Sequence, residues 1–144
     1  MARALIVGCG CRGRQLGERL LSEGWAVRGT SRREEGLEAI AAAGIEPALA
    51  DPDQPGTILE LVNDVAVVVL LLGGATGSEE QLAAIHGPRL ERLLEHLVET
   101  PVRGVVYEGT EEGEEIVSKA SRTWRIPVRF TADEVTAVLA GQPK

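Results

Sequence analysis

Three glycines follow the first apolar segment of the chain at a spacing that suits phosphate chemistry. Gly8, Gly10 and Gly13 form the pattern G-x-G-x-x-G between a segment that predicts a buried strand, 4–7, and one that predicts a helix, 12–22. In such a turn the first glycine permits a tight bend, the second lets the backbone approach a diphosphate, and the third lets the helix pack close to the sheet. The pattern therefore predicts a dinucleotide-binding loop.

The start of the helix after this loop gives an electrostatic reason for anion binding. The first N–H groups of a helix have no partners within it, and the helix dipole adds partial positive charge at that end. Phosphate groups bind at such positions. A tight turn without any ligand is the alternative interpretation. If the loop binds a ligand, the expected contacts are Gly8, Gly10, Cys11, Arg12 and Gly13.

A second group of polar residues ends the second predicted strand. Thr30, Ser31, Arg32 and Arg33 stand there, and no carboxylate occurs before Glu34. A site for NAD usually has Asp or Glu at this point to accept hydrogen bonds from the ribose 2′-hydroxyl. Hydroxyl and guanidinium groups suit a 2′-phosphate instead, which favours NADP over NAD. The alternative is that both arginines only begin an exposed second helix.

The remaining candidates for chemistry are isolated residues. Tyr107 ends the fifth predicted strand, on the side of a parallel sheet where ligands bind, and His86 precedes a possible helix bend. Each is a candidate acid or base, and a core position is the alternative for both. Cys9 and Cys11 are too few ligands for a metal site, so no metal is expected.

These residues are set in a repeated alternation of strand and helix. Strands are predicted over 4–7, 25–30, 45–50, 65–72, 102–107 and 127–130, and helices over 12–22, 34–43, 55–62, 79–99, 111–124 and 133–139, with a possible bend at Gly87 and Pro88. The alternation predicts one α/β domain over 1–144, a doubly wound parallel sheet of six strands with helices on both faces. Strand order 3-2-1-4-5-6 is expected, and the flavodoxin-like order is the alternative.

Composition narrows the classes of partner. The chain has 144 residues, 44% of them hydrophobic and only 3% aromatic, so its core must be aliphatic, with Trp25 and Trp124 filling part of it. The net charge of −7 argues against nonspecific nucleic-acid binding, which requires a basic surface. The longest apolar run, 65–72, is too short to span a membrane, and the N-terminus lacks the features of a signal peptide. A cytoplasmic location is expected.

The stretch IVGCGCRGRQLGERLLSEGWAVRGTSRR resembles the NAD(P)-binding Rossmann superfamily, and more narrowly the atypical short-chain dehydrogenase/reductase group near the small nucleoside-diphosphate-sugar epimerase-like proteins. The segments ALADPDQ and VVVLLLGGATG extend the resemblance. It implies that Asp51 lies near the adenine. It also implies that the backbone of Leu72, Gly73 and Gly74 passes under the ribose on the nicotinamide side.

The chain departs from that group where catalysis is concerned. The catalytic Tyr-x-x-x-Lys pair is missing, because Tyr107 is the only tyrosine and Glu111 stands four residues later. The substrate lobe of the epimerases is also not expected. Two hypotheses follow: an NADP-dependent, dehydrogenase/reductase-like protein that acts on an unknown small molecule, or a non-catalytic NAD(P)-binding sensor or regulatory module. A scaffold used only for association is a third, and a homodimer that completes the cleft is compatible with each.

Overall fold

A six-stranded parallel sheet forms the centre of the molecule. The computed structural model describes residues 2–131 and Val135. The strands are β1 (Arg3–Val7), β2 (Ala26–Ser31), β3 (Glu46–Leu49), β4 (Val67–Leu71), β5 (Gly104–Glu108) and β6 (Val128–Arg129). Their order in the sheet is β3-β2-β1-β4-β5-β6, with all neighbours parallel. The predicted fold class and strand order are confirmed, and the flavodoxin-like order is excluded.

Helices cover both faces of this sheet. They are α1 (Cys11–Ser22), α2 (Glu35–Ala42), α3 (Pro55–Leu59), α4 (Glu79–Ile85), α5 (Pro88–Leu97) and α6 (Glu111–Trp124). Alternate residues of β1 point to opposite faces: Leu5 packs in the same cluster as Leu94 of α5, and Ile6 in the same cluster as Leu20 of α1. Strands β1 and β4 are buried on both faces, which is why their sequences are continuously apolar.

The predicted helix over 79–99 is two helices. Helix α4 starts at a capping box, in which the Ser78 side chain accepts from the Gln81 N–H and the Gln81 side chain accepts from the Ser78 N–H. It ends at Ile85, and α5 restarts at Pro88 after Gly87, whose dihedral angles are not helical. Proline lacks the N–H that a continuous helix needs, but it fits the first turn of a new one. The expected bend at this point is therefore a complete break.

Two further expectations differ from the structure or fall outside it. Trp124 is 37% exposed at the end of α6, so the prediction that it fills the core is wrong. Trp25 is only partly buried. The predicted helix over 133–139 lies outside the described residues except for Val135, which is buried. None of the described helices has the length and apolar character needed to cross a lipid bilayer.

The strand order creates a crevice at the carboxyl ends of the central strands. After β1 the chain crosses to β2 on one side, whereas β4 pairs with β1 on the other side. The loops that leave the carboxyl ends of β1 and β4 therefore diverge, and a gap opens between them. In open α/β sheets this reversal point is where ligands bind.

We expect side chains of the central strands to contribute more to stability than side chains at the edge of the sheet. Leu70 of β4 is fully buried, whereas Leu49 of β3 is 52% exposed. We expect Leu70→Ala to lower the free energy of unfolding by about 2–5 kcal/mol because it leaves a cavity in the core. Leu49→Ala, the same chemical change at the sheet edge, should cost less than about 1 kcal/mol. Urea denaturation of both variants tests this, and equal losses would contradict the burial pattern.

Candidate functional site

A cleft of about 490 Å³ lies in the crevice between the carboxyl ends of β1 and β4. Four segments contribute to it: the turn after β1, the end of β2, the turn after β3 and the loop after β4. The lining residues are Gly8, Cys9, Gly10, Cys11, Arg12, Gly13, Arg14, Thr30, Ser31, Arg32, Gly36, Ala50, Pro52, Leu71, Leu72, Gly73, Gly74, Ala75, Thr76 and Glu108.

Gly8 makes the sharp turn that leaves β1. Its φ of +84° lies in the left-handed region, and a Cβ at this position would be 2.6 Å from the carbonyl oxygen of Leu71. The turn is also tied to β2, because the Gly8 N–H donates to Thr30 Oγ1 at 3.3 Å and the Cys9 N–H donates to the Thr30 carbonyl at 2.9 Å. Only glycine satisfies both the dihedral angle and the close approach.

Gly10 has a different environment. It is the N-cap of α1 in an extended conformation, and no side chain caps the helix there. The first hydrogen bond of the helix runs from the Arg14 N–H to the Gly10 carbonyl at 2.8 Å, so the amides before Arg14 are not used within the helix. A Cβ on Gly10 would meet no atom within 4 Å. The space beside this helix end is therefore open to a ligand.

Gly13 and Cys9 face the core side of the same turn. A Cβ on Gly13 would be 3.2 Å from Ile6 Cγ2, which is why α1 can lie so close to β1. Cys9 is buried against Gly29, and burial raises the pKa of its thiol to about 11. Cys9 is thus a packing residue with little thiolate character.

Charged side chains make the cleft positive. Those that line it are Arg12, Arg14, Arg32 and Glu108, a formal charge of +2 in a chain of net charge −7. Arg32 reaches from the end of β2 to the loop after β4, where its Nη2 donates to Thr76 Oγ1 at 2.9 Å. The cleft therefore attracts anions, although the molecule as a whole repels them.

Comparison with solved structures identifies this architecture. The chain superimposes on a variant of UDP-glucuronic acid 4-epimerase from Bacillus cereus with a TM-score of 0.69 at 15% identity, over 88% of this chain and 54% of that one. It superimposes on triphenylmethane reductase from Citrobacter sp. with a TM-score of 0.65 at 18% identity, over 88% and 48%. It superimposes on a short-chain dehydrogenase/reductase superfamily protein from Agrobacterium tumefaciens with a TM-score of 0.69 at 19% identity, over 88% of this chain and 47% of that one.

The chain therefore shares a Rossmann-like α/β fold with these proteins. It spans about half the length of these proteins. No protein-family model matches the sequence, and no curated protein matches it either. The similarity to these proteins is therefore one of three-dimensional fold.

The Rossmann cleft gathers most of the residues singled out in the sequence. Its lining includes Gly8, Gly10, Cys11, Arg12, Gly13, Thr30, Ser31, Arg32, Leu72, Gly73 and Gly74. Arg33 and Asp51 are not part of it. Arg33 is exposed and its N–H donates to Ser31 Oγ at 3.1 Å, while Asp51 Oδ1 accepts from the Asp53 N–H at 2.9 Å in the turn after β3. Asp51 is therefore occupied in shaping its own turn.

Sequence reasoning did not assign several cleft residues to ligand binding. Ala50, Pro52, Ala75 and Thr76 approach from the loops after β3 and β4, where small residues leave space for a flat ligand. Arg14 and Glu108 add charge. Glu108 is detectable in the sequence as a carboxylate directly after a predicted strand, but Arg12, which pairs with it, is 96 residues away.

Tyr107 and His86 lie outside the cleft lining and are bonded to each other. Both are buried, and His86 Nδ1 is 2.6 Å from the hydroxyl of Tyr107. The Thr110 N–H donates to the same hydroxyl oxygen at 3.0 Å. Because His86 also hydrogen-bonds to the Leu72 backbone, a neutral ring that donates there accepts the Tyr107 proton at Nδ1. The pair therefore joins the end of α4 to the turn between β5 and α6. In this arrangement neither side chain faces a ligand in the cleft.

Burial lowers the pKa of His86, although the charge of Glu112 and a hydrogen bond with the Leu72 backbone act in the opposite direction. The folded protein therefore favours a neutral imidazole, in agreement with Nδ1 accepting a hydrogen bond from Tyr107. As the pH falls through the unfolded-state pKa of about 6.5, the unfolded chain gains this proton before the folded protein does.

The two glycines of the turn should respond differently to alanine. We expect Gly8→Ala to lower the free energy of unfolding by about 2 kcal/mol or more, because it combines a left-handed φ with a contact against Leu71. Gly10→Ala should change it by less than about 1 kcal/mol, since its dihedral angles and surroundings accept a methyl group. Urea unfolding measures both values. A large loss for Gly10→Ala would mean that its surroundings are not open.

The histidine pair predicts a dependence of stability on pH. As the pH falls from 7.5 to 5.5, the free energy of unfolding should decrease, because the unfolded chain takes up a proton at His86 at a higher pH than the folded protein does. His86→Asn should show a smaller decrease over that range, even if it is less stable at pH 7.5. His96→Asn is the matched control for the loss of an imidazole, since His96 is exposed and its removal leaves the pair of His86 and Tyr107 in place. An unchanged slope in His86→Asn would refute the assignment.

Proposed function

We propose that this protein binds a nicotinamide dinucleotide in the cleft, with the diphosphate at the start of α1. The observation that carries the proposal is the open, uncapped helix end at Gly10 beside the β1–β4 crevice. A methyl group at Gly10 would fill space in this cradle without touching the protein. The compared epimerase and the Agrobacterium protein were crystallised with NAD, and the Citrobacter reductase with NADP(H), which supports the proposal.

The residues at the end of β2 favour NADP as the ligand. Ser31 and Arg32 line the cleft where the adenosine ribose would lie, and the sequence has no carboxylate from Thr30 to Arg33. A guanidinium binds a phosphate through charge-assisted hydrogen bonds, whereas a carboxylate would repel it. The backbone at Leu72, Gly73 and Gly74 would then border the second ribose.

A bound cofactor of this class supplies hydride transfer, and the protein supplies binding and orientation. The amides at the start of α1 would hold the diphosphate, and Arg32 would hold the 2′-phosphate. We infer a dehydrogenase/reductase-like role for a single cofactor-binding domain that acts on a small molecule.

A second candidate function is a non-catalytic NADP(H) sensor or regulatory module. The specific observation in its favour is that Tyr107, the only tyrosine of the chain, is buried and bonded to His86 and Thr110. Among the described residues that line the cleft, none is a tyrosine, lysine or histidine. The usual proton donors of a reductase are thus missing from this part of the site.

Arg32 and Arg33 provide a matched pair for testing the cofactor. Arg32→Ala should weaken NADPH binding by about tenfold or more and leave NADH binding within about twofold, because only NADPH carries the 2′-phosphate. Arg33→Ala removes the same charge outside the cleft lining and should change NADPH affinity by less than about threefold. Nicotinamide fluorescence titrations of the wild type and both variants with NADPH and NADH measure these affinities.

The outcomes of these titrations separate the candidate functions. Failure of wild-type protein to bind either NADPH or NADH would refute the proposal. Equal weakening of NADPH and NADH in Arg32→Ala would refute the role of Arg32 in cofactor choice. With binding established, turnover of NADPH on a panel of carbonyl compounds would identify a reductase, and tight binding without turnover would favour the sensor.

A further inference from the structure

A bidentate ion pair crosses the cleft from α1 to β5. Arg12 is the second residue of α1, and Glu108 is the last residue of β5. Arg12 Nη2 donates to Glu108 Oε2 at 2.8 Å, and Nη1 contacts Oε1. Glu108 is in register with Leu71 of β4, and β4 lies between β1 and β5 in the sheet. The ion pair therefore passes over the carboxyl end of β4.

The two partners differ greatly in exposure. The Arg12 side chain is 68% exposed, whereas that of Glu108 is 13% exposed. The carboxylate is thus held against the wall of the cleft, where the backbone of Glu108 also lies beside Gly73. The Arg12 guanidinium contacts this carboxylate from the solvent side of the cleft. Because the guanidinium is largely solvated, the ion pair contributes modestly to stability, and another anion can replace the carboxylate as the partner of Arg12.

A diphosphate at the start of α1 would need the same guanidinium. Arg12 follows Gly10 by two residues, so phosphate oxygens held by the first amides of α1 would lie within reach of its side chain. The N–H groups that now contact both oxygens of Glu108 cannot hold a phosphate in the same way at the same time.

We propose that Glu108 is an internal competitor that sets the affinity and the selectivity of this cleft. Without ligand, its carboxylate forms an ion pair with the Arg12 guanidinium. A phosphate at the start of α1 displaces it, and the Arg12 guanidinium exchanges one anion for another. A ligand without a phosphate at that point cannot make the exchange. The inference rests on the proposed dinucleotide site. It adds to that site a basis for ligand selectivity that the glycine pattern does not provide.

A double-mutant cycle on Arg12 and Glu108 tests the exchange. NADPH affinity is measured by fluorescence titration for the wild type, Glu108→Gln, Arg12→Gln and the double variant, at one low salt concentration because exposed charges are screened. Glu108→Gln should tighten binding about fivefold, the size expected when a competing ion pair of this kind is removed. Arg12→Gln should weaken binding. In the Arg12→Gln background, Glu108→Gln should change affinity by less than about twofold.

Glu111→Gln is the control for general electrostatics, because Glu111 is an exposed carboxylate three residues from Glu108 and does not line the cleft. It should change NADPH affinity by less than about twofold. Adenosine 2′-monophosphate is the control ligand, since it lacks the diphosphate, and its affinity should be the same in wild type and Glu108→Gln. Thermal melts verify that each variant is folded.

Unchanged or weaker NADPH binding in Glu108→Gln would overturn the inference while leaving the proposed cofactor site intact. An equal gain with and without Arg12 would also overturn it, because the carboxylate would then act by repulsion alone. If no protein of the set binds NADPH or NADH, the proposed function fails and the inference fails with it. Tighter binding that depends on Arg12 supports both.

Discussion

The contact between the left-handed turn at Gly8 and the carbonyl of Leu71 determines where the cleft lies. Because a glycine at this point needs no room for Cβ, the end of β1 can press against the end of β4 before the chain turns into α1. Hydrogen bonds from Gly8 and Cys9 to Thr30 connect the same turn to β2. Three adjacent strands are thus joined at their carboxyl ends, and the first amides of α1 are directed to one place.

Electrostatics within this cleft oppose those of the whole molecule. The sheet brings three arginines together from α1 and the end of β2, and one glutamate from β5, in a chain with seven more acidic than basic groups. Long-range attraction of an anion to the protein is therefore weak, so the charges that line the cleft have to attract the anion at short range. Binding strength in such a site depends on a few close contacts, which explains why the internal pairing of one arginine matters.

Local sequence signals were sufficient for the architecture. The apolar runs of β1 and β4 are long enough to indicate strands buried on both faces. The glycine turn after β1 indicates that this strand borders the crevice. Helix α6 has the predicted bounds, because Thr110 caps it and its first turn is acidic. The complete break at Pro88 does not follow from the sequence alone, since proline can either bend a helix or begin a new one.

Side-chain placement depended on contacts between distant segments, and sequence reasoning was weaker there. Tyr107 stands at the predicted strand end, but its hydroxyl is directed into the protein because Gly109 and Gly113 leave room for the ring. Asp51 is held by a local turn, and the exposure of Trp124 depends on where α6 ends relative to the core. None of these outcomes follows from the type of residue alone.

The two cysteines of the glycine turn have one practical consequence. Cys9 is buried with a raised pKa, whereas Cys11 is exposed at the first helical residue and lines the cleft. Because the chain has no other thiol, a maleimide dye would attach selectively at the entrance of the crevice. The unmodified sequence thus provides a natural labelling position from which fluorescence could follow events at the start of α1.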